Sequence, residues 1–239
     1  MIYLKLFDTE SNYKSYRDSE GGYIQPNVSL SIDTNNIHYN LNANGHDYVD
    51  LDLPSGTLWA TCNVGANKPS DAGLYFQWGD TQGYTADQIG IGEGKKKFFW
   101  FDYKWGIDPN FTKYTNLGEA LELEDDAAHV NMGGNWHMPT NEQVWELFNN
   151  TTSAWTTSNG VSGVTLTSKN DTSKSIFFCA EGNAWNGSVN NNGSKGYVWA
   201  SMLNQGYVGY GQCLSFHLDN VSFGGIGRCG GNSVRGVIG

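Results

Sequence analysis

The stretch Gly134–Leu147, with the sequence GNWHMPTNEQVWEL, contains the pattern on which the fold prediction is built. Thr140 stands at a helix N-cap position, and Gln143 follows three residues later, as in a capping box. The apolar residues beyond it recur at helical spacing and predict a stripe that faces a core: Val144, Leu147 and Phe148. The sequence therefore predicts a helix that starts after Thr140 and ends at the pair Asn149-Asn150.

Outward from this helix, the pattern changes to short strands. From Asp47 to the C-terminus, apolar runs are broken every few residues by Gly, Asn and Asp, which favour turns. A second, weaker helix is expected over 124–130, where three consecutive acidic residues suit a helix N-terminus. These elements predict an α+β fold with short strands and one or two helices.

The N-terminal residues differ in character from the rest. Val28, Leu30 and Ile32 alternate with serines, a period of two that is typical of a half-buried strand. The segment 41–47, LNANGHD, is rich in turn-forming residues and indicates a boundary. We therefore expect a small β appendage over 1–46 and the main domain over 47–239. Two or three strands alone are only marginally stable, so the appendage needs a partner surface.

The last part of the chain, 183–239, combines few charges with many large apolar side chains. Within it, Leu214, Phe216 and Leu218 alternate with Ser215 and His217. This alternation predicts a strand with an apolar face toward the core and a polar face toward solvent. His217 is expected to be a contact residue rather than a catalytic one, because its neighbours in sequence include no nucleophile or acid partner.

Composition excludes several classes of protein. The chain has 239 residues, a formal net charge of -10 and only 16% charged residues, but nine tryptophans. An acidic chain of this kind is a poor partner for nucleic acid, which requires clustered Lys and Arg. The apolar runs are too short for a membrane-spanning helix, and the first ten residues do not have the pattern of a secretory signal. Aromatic residues in this number argue against disorder. Six tryptophans lie in segments with other apolar residues and are expected in the core: Trp59, Trp78, Trp100, Trp105, Trp136 and Trp155.

The cysteines could form a disulfide and the acidic residues could bind a metal, but the sequence favours neither. The four cysteines are far apart and lack CxxC spacing, so free thiols are expected, with a disulfide as the alternative. Six residues could be drawn as a metal site, but a solvated helix start and two unrelated histidines explain them more simply: Glu122, Glu124, Asp125, Asp126, His129 and His137. No cofactor or metal is predicted. The sequence also lacks the common hydrolase and metalloprotease motifs.

Several motifs together resemble a known family. The runs DYVDLDLPSGTLWATCNVGA (47–66), LYFQWGD (74–80) and DDAAHVNMGGNWHMPT (125–140) resemble a domain found in gut Bacteroidales and their phages. The segment GNWHMPTNEQVWEL is similar to the helix entry of formylglycine-generating-enzyme-like proteins, a branch of the C-type lectin fold. The C-terminal part, from YVWAS (197–201) to GNSVR (231–235), is similar to the variable region of diversity-generating retroelement proteins.

The resemblance implies a C-type lectin-like fold whose last strands display diversified residues for ligand binding. The variable region is expected at about 183–235. Carried over position by position, the candidate ligand-binding residues are exposed in the expected fold and all belong to the set that adenine randomisation can produce: Tyr207, Val208, Tyr210, Cys213, Ser215, His217, Ser222, Gly224, Gly225, Ile226, Cys229 and Gly230. The calcium-binding motifs of sugar-binding lectins are absent from the sequence, so calcium-dependent sugar binding is not expected.

The resemblance also implies partners and a location. The expected function is binding of a cell-surface protein or glycan receptor, at the tip of a phage tail fibre or as an adhesin on a bacterial surface. The alternatives are an enzyme related to the formylglycine-generating branch and a structural cell-surface protein. A homo-oligomer is expected, with a trimer as the first candidate, because several copies of one surface increase avidity. Residues 1–46 are expected to serve assembly or tail attachment.

Overall fold

The computed structural model describes residues 41–218 and 220–239. Fourteen strands occur in this part of the chain: β1 Leu41–Ala43, β2 His46–Asp50, β3 Leu58–Ala60, β4 Gly106–Ile107, β5 Asn110–Phe111, β6 Thr151–Ser158, β7 Val161–Ser168, β8 Ser175–Cys179, β9 Asn183–Trp185, β10 Ser188–Asn190, β11 Lys195–Leu203, β12 Tyr210–His217, β13 Asn220–Gly227 and β14 Val237–Ile238. Two α-helices are present, α1 Ala127–Met132 and α2 Asn141–Asn150, together with short 3-10 turns at Ala86–Gln88, Trp100–Asp102 and Leu123–Asp125.

The strands form small antiparallel sheets. One has four strands in the order β1-β2-β3-β14, and two have three strands, β6-β7-β8 and β11-β12-β13. The pairs β4-β5 and β9-β10 are two-stranded ribbons. With few helices, this arrangement is that of an α+β or mainly β protein. None of the helices in the described part of the chain is long and apolar enough to cross a membrane.

The helix predicted from the capping box is confirmed. It begins after Thr140, whose hydroxyl accepts a hydrogen bond from the backbone N–H of Gln143 at 3.3 Å. The Gln143 side chain in turn accepts from the Thr140 backbone N–H at 2.9 Å, which completes the reciprocal cap. Val144 and Leu147 are fully buried, as the apolar stripe requires. Trp145 lies on the flank and is 51% exposed.

The second predicted helix is present in a shorter form. Residues Leu123–Asp125 make a 3-10 turn, and α1 starts only after Asp126. The Asp126 carboxylate accepts from the backbone N–H of His129 at 2.9 Å and from that of Met138 at 2.8 Å. Burial raises the pKa of Asp126. Asp126 therefore serves as the N-cap and connects α1 to the chain that leads into α2.

The N-terminal boundary lies earlier than the sequence suggested. Leu41–Ala43 pairs with His46–Asp50 as an antiparallel hairpin, and Asn44 in the turn has a φ of 50°, in the left-handed region. The turn signal in LNANGHD therefore marks a hairpin inside the described fold rather than the end of an appendage. The rest of the predicted appendage, residues 1–40, lies outside the described residues.

Two apolar clusters lie on opposite faces of the sheet β11-β12-β13. Val198, Leu214 and Phe216 belong to one cluster, together with side chains of α2, β7 and β8. Their neighbours Trp199 and Cys213 belong to the other. Because alternate residues of a strand point to opposite faces, β11 and β12 contribute side chains to both apolar clusters.

The predicted inward face of β12 is confirmed for two of its three residues. Leu214 and Phe216 are each 1% exposed. Leu218 was expected to follow the same alternation, but it is 64% exposed. The strand ends at His217, so the period of two no longer applies to the residue after it.

Candidate functional site

Two exposed tyrosines form the most structured surface feature of the C-terminal region. Tyr207 and Tyr210 are 40% and 41% exposed, and their rings meet edge to face with centroids 5.1 Å apart. The Tyr207 hydroxyl donates to the carboxylate of Asp108, at 2.6 Å from one oxygen and 2.5 Å from the other. This hydrogen bond stabilises the protonated phenol and raises the pKa of Tyr207. We call Tyr207, Tyr210 and Asp108 the tyrosine platform.

The loop that carries the tyrosines is closed by its own hydrogen bonds. The side-chain oxygen of Asn204 accepts from the backbone N–H groups of Gly206 and Tyr207, at 2.8 and 3.1 Å. The backbone N–H of Asn204 donates to the carbonyl of Tyr210, and that of Tyr210 donates to the carbonyl of Tyr207. These local bonds, typical of an Asx turn, hold both rings in place without help from a ligand.

Beneath the platform lies a buried arginine. Arg228 is 0% exposed, and its guanidinium donates to the hydroxyl of Tyr103 at 2.7 Å and to the carbonyls of Tyr114 and Val208 at 2.8 and 3.0 Å. A fourth bond reaches the carbonyl of Lys113 at 2.8 Å. Val208 lies between the two tyrosines in the sequence. Arg228 therefore connects the tyrosine loop to Tyr103 and to residues 113–114.

The guanidinium also lies against aromatic rings. Its central carbon is 4.0 Å from the ring centroid of Phe111 and 5.1 Å from that of Tyr103. Phe111 belongs to β5, next to the β4-β5 turn that supplies Asp108. One buried side chain therefore supports both the tyrosine loop and the hairpin whose carboxylate holds Tyr207.

Gly225 completes the support of the platform from the neighbouring strand. A Cβ atom built at this position would lie 2.7 Å from Nδ2 of Asn204 and 3.0 Å from Cβ of Tyr210. The same Nδ2 atom donates to the side-chain oxygen of Gln212 at 3.1 Å. A side chain at position 225 would therefore displace the residue that closes the loop.

The other predicted contact residues occupy the opposite face of the same strands. Ser215 and His217 alternate with the buried Leu214 and Phe216, and Ser222 pairs with Ser215 across β12 and β13. The hydroxyls of Ser215 and Ser222 are 2.8 Å apart. We call Ser215, His217 and Ser222 the hydroxyl face. Ser222 and the nearby Gly224 on β13 are exposed, whereas Ser215 and His217 are half-buried. The predicted residues therefore form two surfaces rather than one.

A buried acid lies at the edge of β11 that faces away from β12. Glu181 is 3% exposed, and its carboxylate accepts from the backbone N–H of Tyr197 at 3.1 Å. Tyr197 is the residue opposite Ser215 in the ladder. Burial raises the pKa of Glu181 to about 7, although its hydrogen bonds act in the opposite direction. The strand that pairs with the hydroxyl-face residue Ser215 is therefore bonded to a buried acid.

Three of the predicted surface residues are buried, and four more are half-buried: Val208, Ser215, His217 and Ile226. Cys213 and Cys229 are 3% and 0% exposed, and Gly230 is buried as well. Small side chains at these positions pack against the aromatic core, and a Cβ at Gly230 would lie 3.2 Å from both a backbone oxygen and the ring of Trp185. The expectation of exposure is wrong at these three positions. Ile226 is half-buried against the second apolar cluster.

All four cysteines are free thiols, as the sequence predicted. Burial raises the pKa of the Cys213 and Cys229 thiols to about 12 and also raises that of Cys179. A nucleophilic cysteine requires the thiolate form, so burial works against such a role for these three residues.

Cys62 differs from the other three cysteines. It is half-buried and lines a cleft of about 420 Å³ between the β2-β3 region and α1. The hydroxyl of Thr61 lies 3.6 Å from its sulfur. A thiol nucleophile is normally activated by a general base, and a hydroxyl group is not one. The contact with Thr61 therefore does not activate Cys62.

The acidic residues considered as a metal site surround a lysine. The ammonium group of Lys113 lies 2.5 Å from Glu122, 3.5 Å from Glu124 and 2.6 Å from Asp125. Lys104 approaches Asp125 from another side, at 2.9 Å. Burial would raise the pKa of Asp125, but the two lysines outweigh it and lower the pKa. The three carboxylates are therefore already paired with the ammonium groups of lysine side chains.

The two histidines of that candidate site are also engaged elsewhere. Nδ1 of His129 lies 3.1 Å from the carbonyl of Trp136, and Nδ1 of His137 lies 2.9 Å from the carbonyl of Met138. Together with the capping role of Asp126, these contacts agree with the structural interpretation of the cluster.

Sequence reasoning missed Asp108 and the aromatic residues around it. Phe101 and Ile107 are 57% and 54% exposed, and Trp100, which was expected in the core, is only half-buried. The run FFWFDYKW (98–105) could have indicated surface aromatic residues, because one short segment cannot direct this many aromatic rings into the core. By contrast, Trp59, Trp78 and Trp136 are fully buried, as expected.

Comparisons of the chain with protein-family models, with curated proteins and with solved structures return no match.

Proposed function

We propose that this chain is a ligand- or receptor-binding protein that presents a variable surface on a C-type lectin-like scaffold. The observation that carries the proposal is the tyrosine platform, two exposed rings whose position is fixed by Asp108, by Asn204 and by the buried Arg228. Tyrosine supplies a large contact area at a low entropic cost, which is why binding surfaces are enriched in it. A surface ordered before binding also loses less entropy when the ligand arrives.

The variable region of the resembled family supplies the second part of the proposal. Tyr207, Val208, Tyr210 and Gly225 form or support the platform, while Ser215, His217, Ser222 and Gly224 lie on the opposite face. We assign primary ligand binding to the platform, because its rings combine exposure with rigid support. A binding role is also in keeping with the burial of Cys179, Cys213 and Cys229, which disfavours thiol catalysis.

The proposed partner is a cell-surface protein or glycan receptor, and the proposed location is a phage tail tip or a bacterial surface. We further propose a homo-oligomer, with a trimer as the first candidate, since repeated copies of a modest binding surface increase avidity. Light scattering on the full chain is expected to give a multiple of the 26.3 kDa monomer mass. A strict monomer at high concentration would contradict this part of the proposal.

The decisive experiment replaces Tyr207 and Tyr210 together by alanine. Binding of the labelled protein to a panel of gut Bacteroidales cells, measured by flow cytometry, is expected to be lost because both aromatic contacts are removed. The melting curve is expected to stay nearly unchanged, since both rings are exposed. The matched control, Ser215→Ala with Ser222→Ala, alters the opposite face and is expected to retain binding.

The opposite outcome would move the binding site. Retained binding in the tyrosine variant, with loss in the serine variant, would place the ligand on the hydroxyl face. Loss of binding in both variants, with normal melting curves, would show that the ligand contacts both faces.

A further inference from the structure

A groove runs between the first strand of one sheet and the last strand of another. Two adjoining cavities of about 350 and 190 Å³ share Ser153 of β6 and Val221 of β13. They form one continuous groove, lined largely by uncharged side chains: Phe148, Thr151, Ser153, Trp155, Val164, Leu166, His217, Leu218, Asn220 and Val221. Among the described residues, which do not include position 219, His217 is the one titratable group of this lining.

Both strands that border the groove are sheet edges. Among the described strands, β6 pairs only with β7 and β13 pairs only with β12, each through an uninterrupted register of eight residues. Within the described part of the chain, residues 220–226 make no backbone–backbone hydrogen bond outside that ladder. In an antiparallel ladder, every second residue directs its N–H and C=O away from its partner. The outer edge of β13 therefore presents a row of unpaired backbone donors and acceptors.

This edge lacks the usual protection against pairing. Exposed edge strands normally carry a charged residue, a proline or a bulge. The sequence of β13, NVSFGGIG, has no charge and no proline, and its register with β12 contains no bulge. The bordering strand β6, TTSAWTTS, is equally free of charge and proline.

Exposed apolar side chains mark both ends of the groove. Leu218, at one end, is 64% exposed. At the other end, Trp145 is 51% exposed and stacks edge to face on Phe148 and Phe223, with centroids 5.9 and 5.7 Å apart. Large apolar side chains held at the surface in this way favour an apolar occupant.

We propose that this groove binds an extended segment of a partner polypeptide, which adds to β13 as a further strand. Only another strand matches a row of backbone donors and acceptors at strand spacing, and strand addition is an established mode of peptide recognition. Every second side chain of the segment would point toward Val221 and the wall formed by β6. Those side chains are therefore uncharged and apolar, and about eight residues, or about 26 Å, span the edge.

The test uses a synthetic peptide of alternating threonine and valine, as long as β13 and with a lysine at each end. Fluorescence polarisation is expected to show saturable binding, and hydrogen exchange is expected to show slowed amides within 220–226. Two N-methylated peptides serve as controls, each methylated at one of the two alternating sets of residues. One of them is expected to lose binding and the other to keep it, because only one set faces β13.

Protein variants locate the site. Val221→Asp places a charge in the groove and is expected to weaken peptide binding at least about tenfold, whereas Ser222→Asp, on the other face of the same strand, is expected to leave it unchanged. Leu218→Asp alters an exposed residue and is expected to weaken binding with a normal melting curve. It serves as the groove variant if Val221→Asp fails to fold.

Several outcomes would overturn the proposal. The first is no binding by the unmethylated peptide, and the second is equal binding by both N-methylated peptides. Light scattering that shows an association of the chain with itself, lost in Leu218→Asp, would make a second copy the occupant. The Tyr207→Ala, Tyr210→Ala variant is expected to bind the peptide normally, so this test stands or fails separately from the tyrosine platform.

Discussion

The two surfaces of the C-terminal sheet differ in their support. Under the tyrosine platform is a buried cation, Arg228, which donates to backbone carbonyls of the loop and its neighbours. On the side of the hydroxyl face, strand β11 pairs with β12, and the buried acid Glu181 accepts from the Tyr197 N–H at the other edge of β11. The first face is aromatic and tied down by long-range bonds, whereas the second is polar and held mainly by the strand ladder. Strands of one short sheet thus supply two surfaces with different supports.

The largest expected effect separates the buried side of β12 from its surface side. Phe216→Ala removes a ring that is 1% exposed and packs edge to face on Phe178, so it is expected to lower the free energy of unfolding by about 3–5 kcal/mol. The adjacent Ser215→Ala is expected to change it by less than about 0.5 kcal/mol. Urea unfolding measures both. Equal losses would show that the two sides of the strand are not distinct.

A somewhat smaller effect tests the support under the platform. Arg228→Met leaves the buried carbonyl of Tyr114 and the partly buried carbonyls of Val208 and Lys113 without their donor. A buried unsatisfied group costs about 1–3 kcal/mol, and a partly buried one costs less because water reaches it. A loss of about 2–3 kcal/mol in urea unfolding is expected, with weaker receptor binding. The control is Lys195→Met, an exposed position at the edge of the hydroxyl face, for which a change within about 0.5 kcal/mol is expected.

The smallest expected effect depends on pH and concerns the buried acid at the edge of β11. The pKa of Glu181 is raised to about 7 from the ordinary value of 4.5, so the folded state favours the protonated acid. Its contribution to stability is fully present below about pH 4.5 and is lost as the pH rises through about 7. Between these limits the wild type is expected to lose about 2–3 kcal/mol relative to Glu181→Gln.

Urea unfolding at several pH values measures this difference. The glutamine oxygen can still accept from the Tyr197 N–H, so the variant is a matched control for the charge. A difference between the two proteins that does not change with pH would show that Glu181 stays in one protonation state.

Local patterns in the sequence predicted the helix and the buried side of β12, because both depend on residues close together in the chain. The capping box of Thr140 and Gln143 and the alternation around Phe216 are signals of that kind. The segment 41–47 shows the limit of such signals, since the same turn residues suit a hairpin and a domain boundary equally well. The exposure of Leu218 shows a second limit, because a period of two does not reveal the residue at which a strand ends.

Long-range contacts could not be read in this way. Asp108 and Tyr207 are 99 residues apart, and nothing in either segment indicates that the two side chains meet. The burial of Cys213 and Cys229 likewise depends on aromatic rings from distant parts of the chain. The resemblance to variable proteins identified a region of the chain, but the division of that region between two faces follows only from the strand register.

Gly225 has a consequence for how this surface can change. A side chain there would press on Asn204 and Tyr210, so a substitution at position 225 acts on the tyrosine loop as well as on its own strand. The positions of the platform are therefore not independent choices. Substitutions at 225 and at 204 or 210 are therefore expected to be coupled rather than additive, so the number of residue combinations that keep the loop in place is smaller than the product of the single-site possibilities.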